Sequence, residues 1–178
     1  MPDYFPLKKN LRLKYVYTSS EFENASTVLI DIISVDKKGK SVRAKARMTI
    51  DIKGTATSAE YTITRDSKWI VTGDGIVVGG RKEIPVRPVK GARWDAYPDA
   101  SEVVSVNEKV RVPAGRFNRC VKVVTRLAGG DAGSAVRYYA PGTGFVLEKY
   151  SGENMQAEVK LVSAGTVAEP AKPSRRKR

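Results

Sequence analysis

Cys120, carboxylates spread along the chain, a Gly-Thr-Gly turn and a run of alternating cations are the residues whose types could do chemistry here. Histidine is absent, and Cys120 is the single cysteine among 178 residues. That removes Ser-His-Asp and Cys-His nucleophiles, the usual zinc ligand sets and the neutral-pH proton shuttle. It also removes any intrachain disulfide and any cysteine-cage metal site. Arg119 and Lys122 would lower the Cys120 thiol pKa if it were exposed. On a strand it reads instead as a small buried apolar residue. Asp31, Asp51, Asp74, Asp95, Asp99 and Glu158 form no spaced pair fit for acid–base work. Asp95 and Asp99 flank Tyr97-Pro98, where a turn accounts for them. Gly142-Thr143-Gly144 invites a phosphate-loop reading, but a strand follows it, whereas such loops open a helix. The expectation is a non-enzyme with no catalytic residue, metal or cofactor.

Cations are the other candidate. The chain has 32 Lys and Arg against 19 Asp and Glu, a formal net charge of +13. From Thr166 onward there are five basic residues and one acid, so the body keeps nine of the thirteen excess charges. Such a surface suits an anionic envelope component, a protein partner, or nucleic acid and other polyanions. Arg43, Lys45 and Arg47 lie on one face of a segment whose other face is Val42, Ala44, Ala46 and Met48. Tyr138 and Tyr139 could stack on bases or sugars, although at alternating strand positions such residues more often fill a core or a cross-strand pair. These five residues are the candidate ligand-binding set, and Lys and Arg on a strand also discourage pairing between sheets of different molecules.

The elements that position them follow from a period of two. Ser41–Lys53 alternates throughout, which a helix would scatter around its whole cylinder. Thr27–Val35 is a β-branched run, joined to it through Asp36–Lys40 with Gly39 free to turn. Leu11–Thr18 and Glu60–Thr64 alternate likewise. Short strands are expected at Lys68–Val71 and Ile76–Val78, and longer ones at Glu102–Val112, Asn118–Leu127, Ser134–Ala140, Gly144–Tyr150 and Met155–Ser163. Short turns between them require antiparallel pairing. The expected fold is all-β, one antiparallel domain over residues 1–165 with about ten strands and little helix. Its sheet is a curved sheet, half-open barrel or sandwich. Ile84–Asp99, with Pro85 and Pro88, reads as an extended connection, and residues 166–178 as a disordered basic tail. No apolar run is long enough to span a membrane as a helix.

Two turns are specific. Val112-Pro113-Ala114-Gly115-Arg116-Phe117 joins two strong strands, with Pro113 and Gly115 suited to a hairpin with a bulge. Tyr139-Ala140-Pro141-Gly142-Thr143-Gly144 places Pro141-Gly142 at the centre of a type II turn.

On these residues the chain resembles a widespread family of bacterial envelope proteins, many of them lipoproteins, to which no activity is assigned. Val112, Pro113, Ala114, Gly115, Phe117, Cys120 and Val123 match its Val-Pro-Ala-Gly-x-Phe-x-x-Cys-x-x-Val segment. Tyr139, Ala140, Pro141, Gly142, Gly144 and Val146 match its Tyr-Ala-Pro-Gly-Val-Gly-Leu-Val segment, with Thr143 and Phe145 departing. Tyr4-Phe5-Pro6-Leu7 and Pro88–Trp94 resemble two further family segments, although Asn10 and Leu13 stand where Gly and Trp are usual.

The resemblance implies a half-barrel like that of periplasmic lipoprotein carriers. It also implies a place in the cell envelope or periplasm, or secretion, for a chain whose signal has been removed. Met1-Pro2-Asp3 itself has no signal character, and a chain never exported would be cytoplasmic. The function expected is a non-enzymatic envelope binding or assembly module for an anionic or amphipathic component or a protein. A polyanion binder using Arg43, Lys45, Arg47 and the tail is the alternative.

Overall fold

Period-two alternation folds into one antiparallel sheet. The structure, a computed structural model, describes residues 2–96, 98–129 and 132–168. Its strands are β1 Leu11–Ser19, β2 Ser26–Lys38, β3 Ser41–Ile52, β4 Thr55–Arg65, β5 Trp69–Thr72, β6 Arg81–Pro85, β7 Arg93–Ala96, β8 Asp99–Val112, β9 Gly115–Leu127, β10 Gly133–Ala140, β11 Gly144–Gly152 and β12 Gln156–Thr166. They lie in the order β6-β5-β4-β3-β2-β1-β12-β11-β10-β9-β8-β7. Each half of the chain is thus a meander, and β1 pairs with β12 to join the halves, from Leu11↔Thr166 to Ser19↔Ala157. Among the described residues there is no α-helix. Among those residues no helix is long and apolar enough to cross a membrane.

Alternation decides which side is dry. In β3, Ala44 and Ala46 are fully buried and Met48 nearly so, while Arg43, Lys45 and Arg47 are exposed. In β1, Leu13, Tyr15 and Tyr17 are buried between exposed Lys14 and Thr18. Full burial of a Val, Leu or Ile side chain contributes roughly 1.5–3 kcal/mol each, and Val28, Ile63, Ile70, Ile84, Val103 and Leu161 are all within 2% of complete burial. Register shifts at Lys14/Tyr15, Ile32/Ser34 and Tyr138/Tyr139, and three along β8–β9, supply bulges that bend the strands.

The curled sheet is open between β6 and β7, its two end strands, but side chains close the seam. The Trp94 indole N–H donates to the Lys82 carbonyl at 3.0 Å, and Trp94 packs on Trp69 with ring centroids 5.5 Å apart. Lys82 Nζ lies 4.7 Å over the Trp69 ring. At the other end, the β11–β12 ladder stops at Leu147↔Lys160. The next carbonyl on β12, Leu161, accepts the Ala114 N–H at 3.0 Å, so the two-residue Pro113-Ala114 hairpin loop covers that gap.

Three expectations change. Ile76–Val78 is not a strand but a loop between β5 and β6, half-buried against the core cluster that includes Tyr15, Met48 and Leu161. Its glycines explain this: a Cβ on Gly75 would lie 2.3 Å from the Val78 carbonyl oxygen, and one on Gly80 would lie 2.5 Å from that of Gly73. The supposed connection Ile84–Asp99 contains the end of β6 and all of β7. Both are short end strands, where Pro85 is tolerated because one side of the backbone needs no partner. Strand β12 runs to Thr166, and Val167 N–H donates to the Asn10 carbonyl at 2.8 Å. The rest of the expected disordered tail, residues 169–178, lies outside the described residues.

Candidate binding chamber

The concave side of the sheet is mostly filled by its own side chains. Tyr15, Tyr139 and Leu161 have no meaningful solvent contact. What remains is an apolar chamber of about 60 Å³ walled by Leu11, Leu13, Ile30, Ile32, Ile63 and Phe145. Two segments outside the sheet complete it: Phe5-Pro6 from the N-terminal stretch and Asp74–Ile76 from the β5–β6 loop.

The N-terminal stretch is held by polar anchors. The Asp3 carbonyl accepts the Gly142 N–H at 2.7 Å, and Tyr4 Oη donates to the Arg119 carbonyl at 3.1 Å. The Asp3 carboxylate pairs with Arg65 at 3.0 Å, so the stretch bridges both halves of the sheet. Gly142 (φ 74°) sits in a type II turn closed by Thr143 N–H on the Ala140 carbonyl at 3.2 Å. Gly144 (φ 96°) leaves room for Pro6, whose Cδ would lie 3.2 Å from a Cβ there.

One wall of the chamber is charged. Arg81, Glu83 and Glu148 line it, and Arg137 stands directly opposite Glu148 in the β10–β11 ladder. Arg81 Nε lies 2.7 Å from Glu83 Oε2. Tyr139 Oη donates to Glu83 Oε1 at 2.5 Å, and Arg81 Nη1 donates to the Val78 carbonyl at 2.9 Å. Arg137 Nη2 donates to Thr125 Oγ1 at 2.5 Å, and Thr125 shares a 2.8 Å hydrogen bond with Ser101.

Glu83 and Glu148 differ. Burial pushes the Glu83 carboxyl up, but Arg81 and Arg137 with the Tyr139 hydroxyl outweigh it and hold the group below the usual carboxylate value. Burial dominates at Glu148 and raises it, because the attraction of Arg81 and Arg137 falls short. Geometry agrees: Arg137 Nη1 is 3.7 Å from Glu148 Oε1, beyond hydrogen-bond length, and Glu148 Oε1 has no partner. Arg137 Nε and Thr72 Oγ1 are likewise buried without partners. Most buried polar atoms are satisfied, so this concentration of unspent groups marks the wall.

The residues expected from sequence are not brought together. Arg43, Lys45 and Arg47 lie on the convex face of β3, where Lys45 and Arg47 both pair with Glu60, the latter at 2.7 Å. Tyr138 is half-buried on the convex face of β10, with Lys122 Nζ 5.8 Å from its ring centre. Tyr139 points the other way and is fully buried. Its stacking role is corrected to a hydrogen-bonding one, since the adjacent strand residue faces the opposite side of the sheet.

Pro113 lies in the β8–β9 turn and Pro141 and Gly142 in the β10–β11 turn, while Gly115 and Gly144 open β9 and β11 at positive φ. Cys120 is buried, and burial with Glu108 nearby pushes its thiol up to about 11, which leaves it unreactive. Asp95 and Asp99 lie on β7 and β8 either side of their connecting turn. Among the described residues no group of three carboxylate or thiol ligands converges on a metal position.

Arg81, Glu83, Arg137 and Glu148 were missed. The available signal was parity: Arg137 lies between Ala135 and Tyr139, and Glu148 between Val146 and Tyr150, on the dry side of their strands.

No protein-family model matches the sequence, and no curated protein does. The fold has solved counterparts. One is a protein of Bacteroides fragilis NCTC 9343, inferred to be exported and of YmcC-like fold. It superposes with a TM-score of 0.68 at 15% identity, over 93% of this chain and 100% of the other. Another is a protein of Parabacteroides distasonis ATCC 8503, inferred to be a lipoprotein. It gives a TM-score of 0.63 at 14% identity, over 92% of this chain and 99% of the other. At such identity the likeness is one of fold, and it extends over nearly the whole length of both chains.

Proposed function

We propose that the protein is a non-enzymatic binding module of the bacterial cell envelope. Its ligand is an amphipathic molecule whose apolar part enters the chamber behind Phe5 and Ile76. The carrying observation is an apolar cavity inside an open sheet, closed by two segments that belong to no strand. Opening it breaks no ladder, so access costs only the contacts of those segments. The envelope location draws support from the two solved counterparts, which are inferred to be an exported protein and a lipoprotein.

On the measure by which one water needs roughly 10–15 Å³, the chamber's 60 Å³ accepts the end of an alkyl chain. A longer chain requires the Asp74–Ile76 loop to move aside. Titration with dodecanol, read by displacement of a fluorescent apolar probe, tests the reading. Saturable binding is expected in the native protein and its loss in Ile63→Trp, which fills the chamber. Overpacking of this kind costs roughly 1–3 kcal/mol, so circular dichroism must first show that the variant folds. Absence of saturable binding in the native protein would end the proposal.

A further inference from the structure

A second cavity, a groove of about 330 Å³, shares Arg81 with the chamber and is also lined by Lys82, Asp99, Ser101, Thr125 and Arg137. It lies where β6 faces the inner side of β8 to β10. We propose that this groove is an oxyanion site that takes the carboxylate or phosphate group of an amphipathic ligand. The location of the ligand's tail rests on the chamber reading; the anion site itself does not.

Donor accounting carries the inference. Arg137 is 1% exposed, and its Nη2 donates to Thr125 Oγ1. Its Nε is unpartnered, and its Nη1 is too far from Glu148 to bond. Ser101 and Thr125 have two hydroxyl hydrogens and one hydrogen bond between them, so one O–H is left to donate. Three cations, Arg81, Lys82 and Arg137, thus meet a groove edged by one free hydroxyl donor.

The opposing carboxylates are largely occupied. Glu83 is held by Arg81 and Tyr139, and Asp99 Oδ1 accepts the Ala128 N–H at 3.1 Å. Neither Glu83 nor Glu148 lines the groove, so three cations there face one carboxylate, Asp99. An incoming oxyanion supplies an acceptor for the unpartnered Arg137 Nε and a countercharge for the groove's excess cations, and a guanidinium is the side chain best shaped to hold a carboxylate or phosphate.

The test compares three probes on the native protein: laurate, dodecyl phosphate and neutral dodecanol. The two anions are expected to bind about tenfold to hundredfold more tightly than the alcohol, the worth of one or two charge-assisted hydrogen bonds. Arg137→Gln is expected to abolish that preference and leave dodecanol binding intact. Should Arg137→Gln fail to fold, Ser101→Ala combined with Lys82→Gln is expected to reduce the preference instead. Laurate alone or dodecyl phosphate alone showing the preference identifies which head group the groove takes.

Equal binding of all three probes, or a preference that survives the variants, overturns the anion site while the chamber reading stands. If no amphiphile binds, the chamber reading fails, and the groove is read with inorganic phosphate. A saturable rise in melting temperature over sodium chloride of matched ionic strength, lost in Arg137→Gln or the double variant, upholds the anion site. No such rise refutes it.

Discussion

Two buried glutamates on one wall should respond unequally to the same substitution. Glu83 is 4% exposed, lies 2.7 Å from Arg81 and accepts the Tyr139 hydroxyl. Removing its charge by Glu83→Gln strands Arg81, whose side chain is 12% exposed, and breaking one partner out of a buried pair costs about 3–5 kcal/mol. At roughly 2–4 °C per kcal/mol for a chain of this size, the melting temperature should fall on the order of 10 °C at pH 7. Glu148 is 1% exposed, but its Oε1 bonds to nothing, and Arg137 stands 3.7 Å away. Glu148→Gln removes a carboxyl whose burial is poorly compensated, so stability should stay within about 1 kcal/mol of the native value.

The pH dependence separates them further. Glu148 has a raised folded pKa, so between the ordinary carboxylate value and that raised value the native state holds a proton the unfolded state has released. Stability therefore falls as pH rises through that window, and Glu148→Gln should flatten the slope. Glu83 has a lowered folded pKa, so its contribution is present above the ordinary value and lost as pH falls toward the lowered one. Urea unfolding of the native protein and both variants from pH 3 to pH 8 measures all of this. Equal destabilisation by the two substitutions, or an unchanged slope in Glu148→Gln, would refute the reasoning.

Trp94→Phe removes the indole N–H from the Lys82 carbonyl and should cost about 1–3 kcal/mol, seen as a lower urea midpoint and faster amide exchange in β6; an unchanged midpoint would show that the seam needs no indole. Gly144→Ala should destabilise more than Gly39→Ala, because both have positive φ but only the former directs a Cβ at Pro6, and thermal melts of the two variants give the order. Cys120 should resist Ellman's reagent at pH 8 in the folded protein, with about one thiol in a thousand ionised, and react fully in guanidinium; rapid native labelling would contradict its burial.

How much of this was legible depends on which side of a strand is considered. Alternation in Ser41–Lys53 places Ala44, Ala46 and Met48 inside and the three cations outside, and the structure agrees, because a half-wet sheet leaves no other register. Period two also limits inference at bulges. Between Tyr138 and Tyr139 the β10–β11 register slips, so pairing across that hairpin cannot be counted simply outward from Pro141-Gly142. Arg137 and Glu148 become partners only once that slip is known. Seams are still harder to read: Arg81 and Glu83 reach Arg137 and Tyr139 across the open side of the sheet, where no ladder links the segments and sequence distance carries no information. The same holds for β6 and β7, short strands whose prolines and glycines argued for a connection.

The segments that carry the family resemblance turn out to be fasteners. Asp3 and Tyr4 tie the first segment to the Pro141-Gly142 turn and to Arg119, which itself sits at positive φ just before Cys120. Pro113-Ala114 covers the Leu161 carbonyl of β12, which lies past the end of the β11–β12 ladder. In the Pro88–Trp94 segment, the Gly91 N–H bonds the Val103 carbonyl at 2.7 Å and Trp94 closes the seam. Three of these segments also meet the chamber or its neighbours, through Phe5, Gly144 and the packing of Trp94. Arg81, Glu83, Arg137 and Glu148 lie in none of them; Tyr139 alone belongs to a motif and touches the charged wall. A chain sharing these motifs is expected to share the frame and the apolar closure, whereas the charge pattern lies outside them except at Tyr139. Exchange of the charged wall between two such chains should accordingly transfer head-group preference and leave the fold intact, with the probe titrations reporting the first and circular dichroism the second.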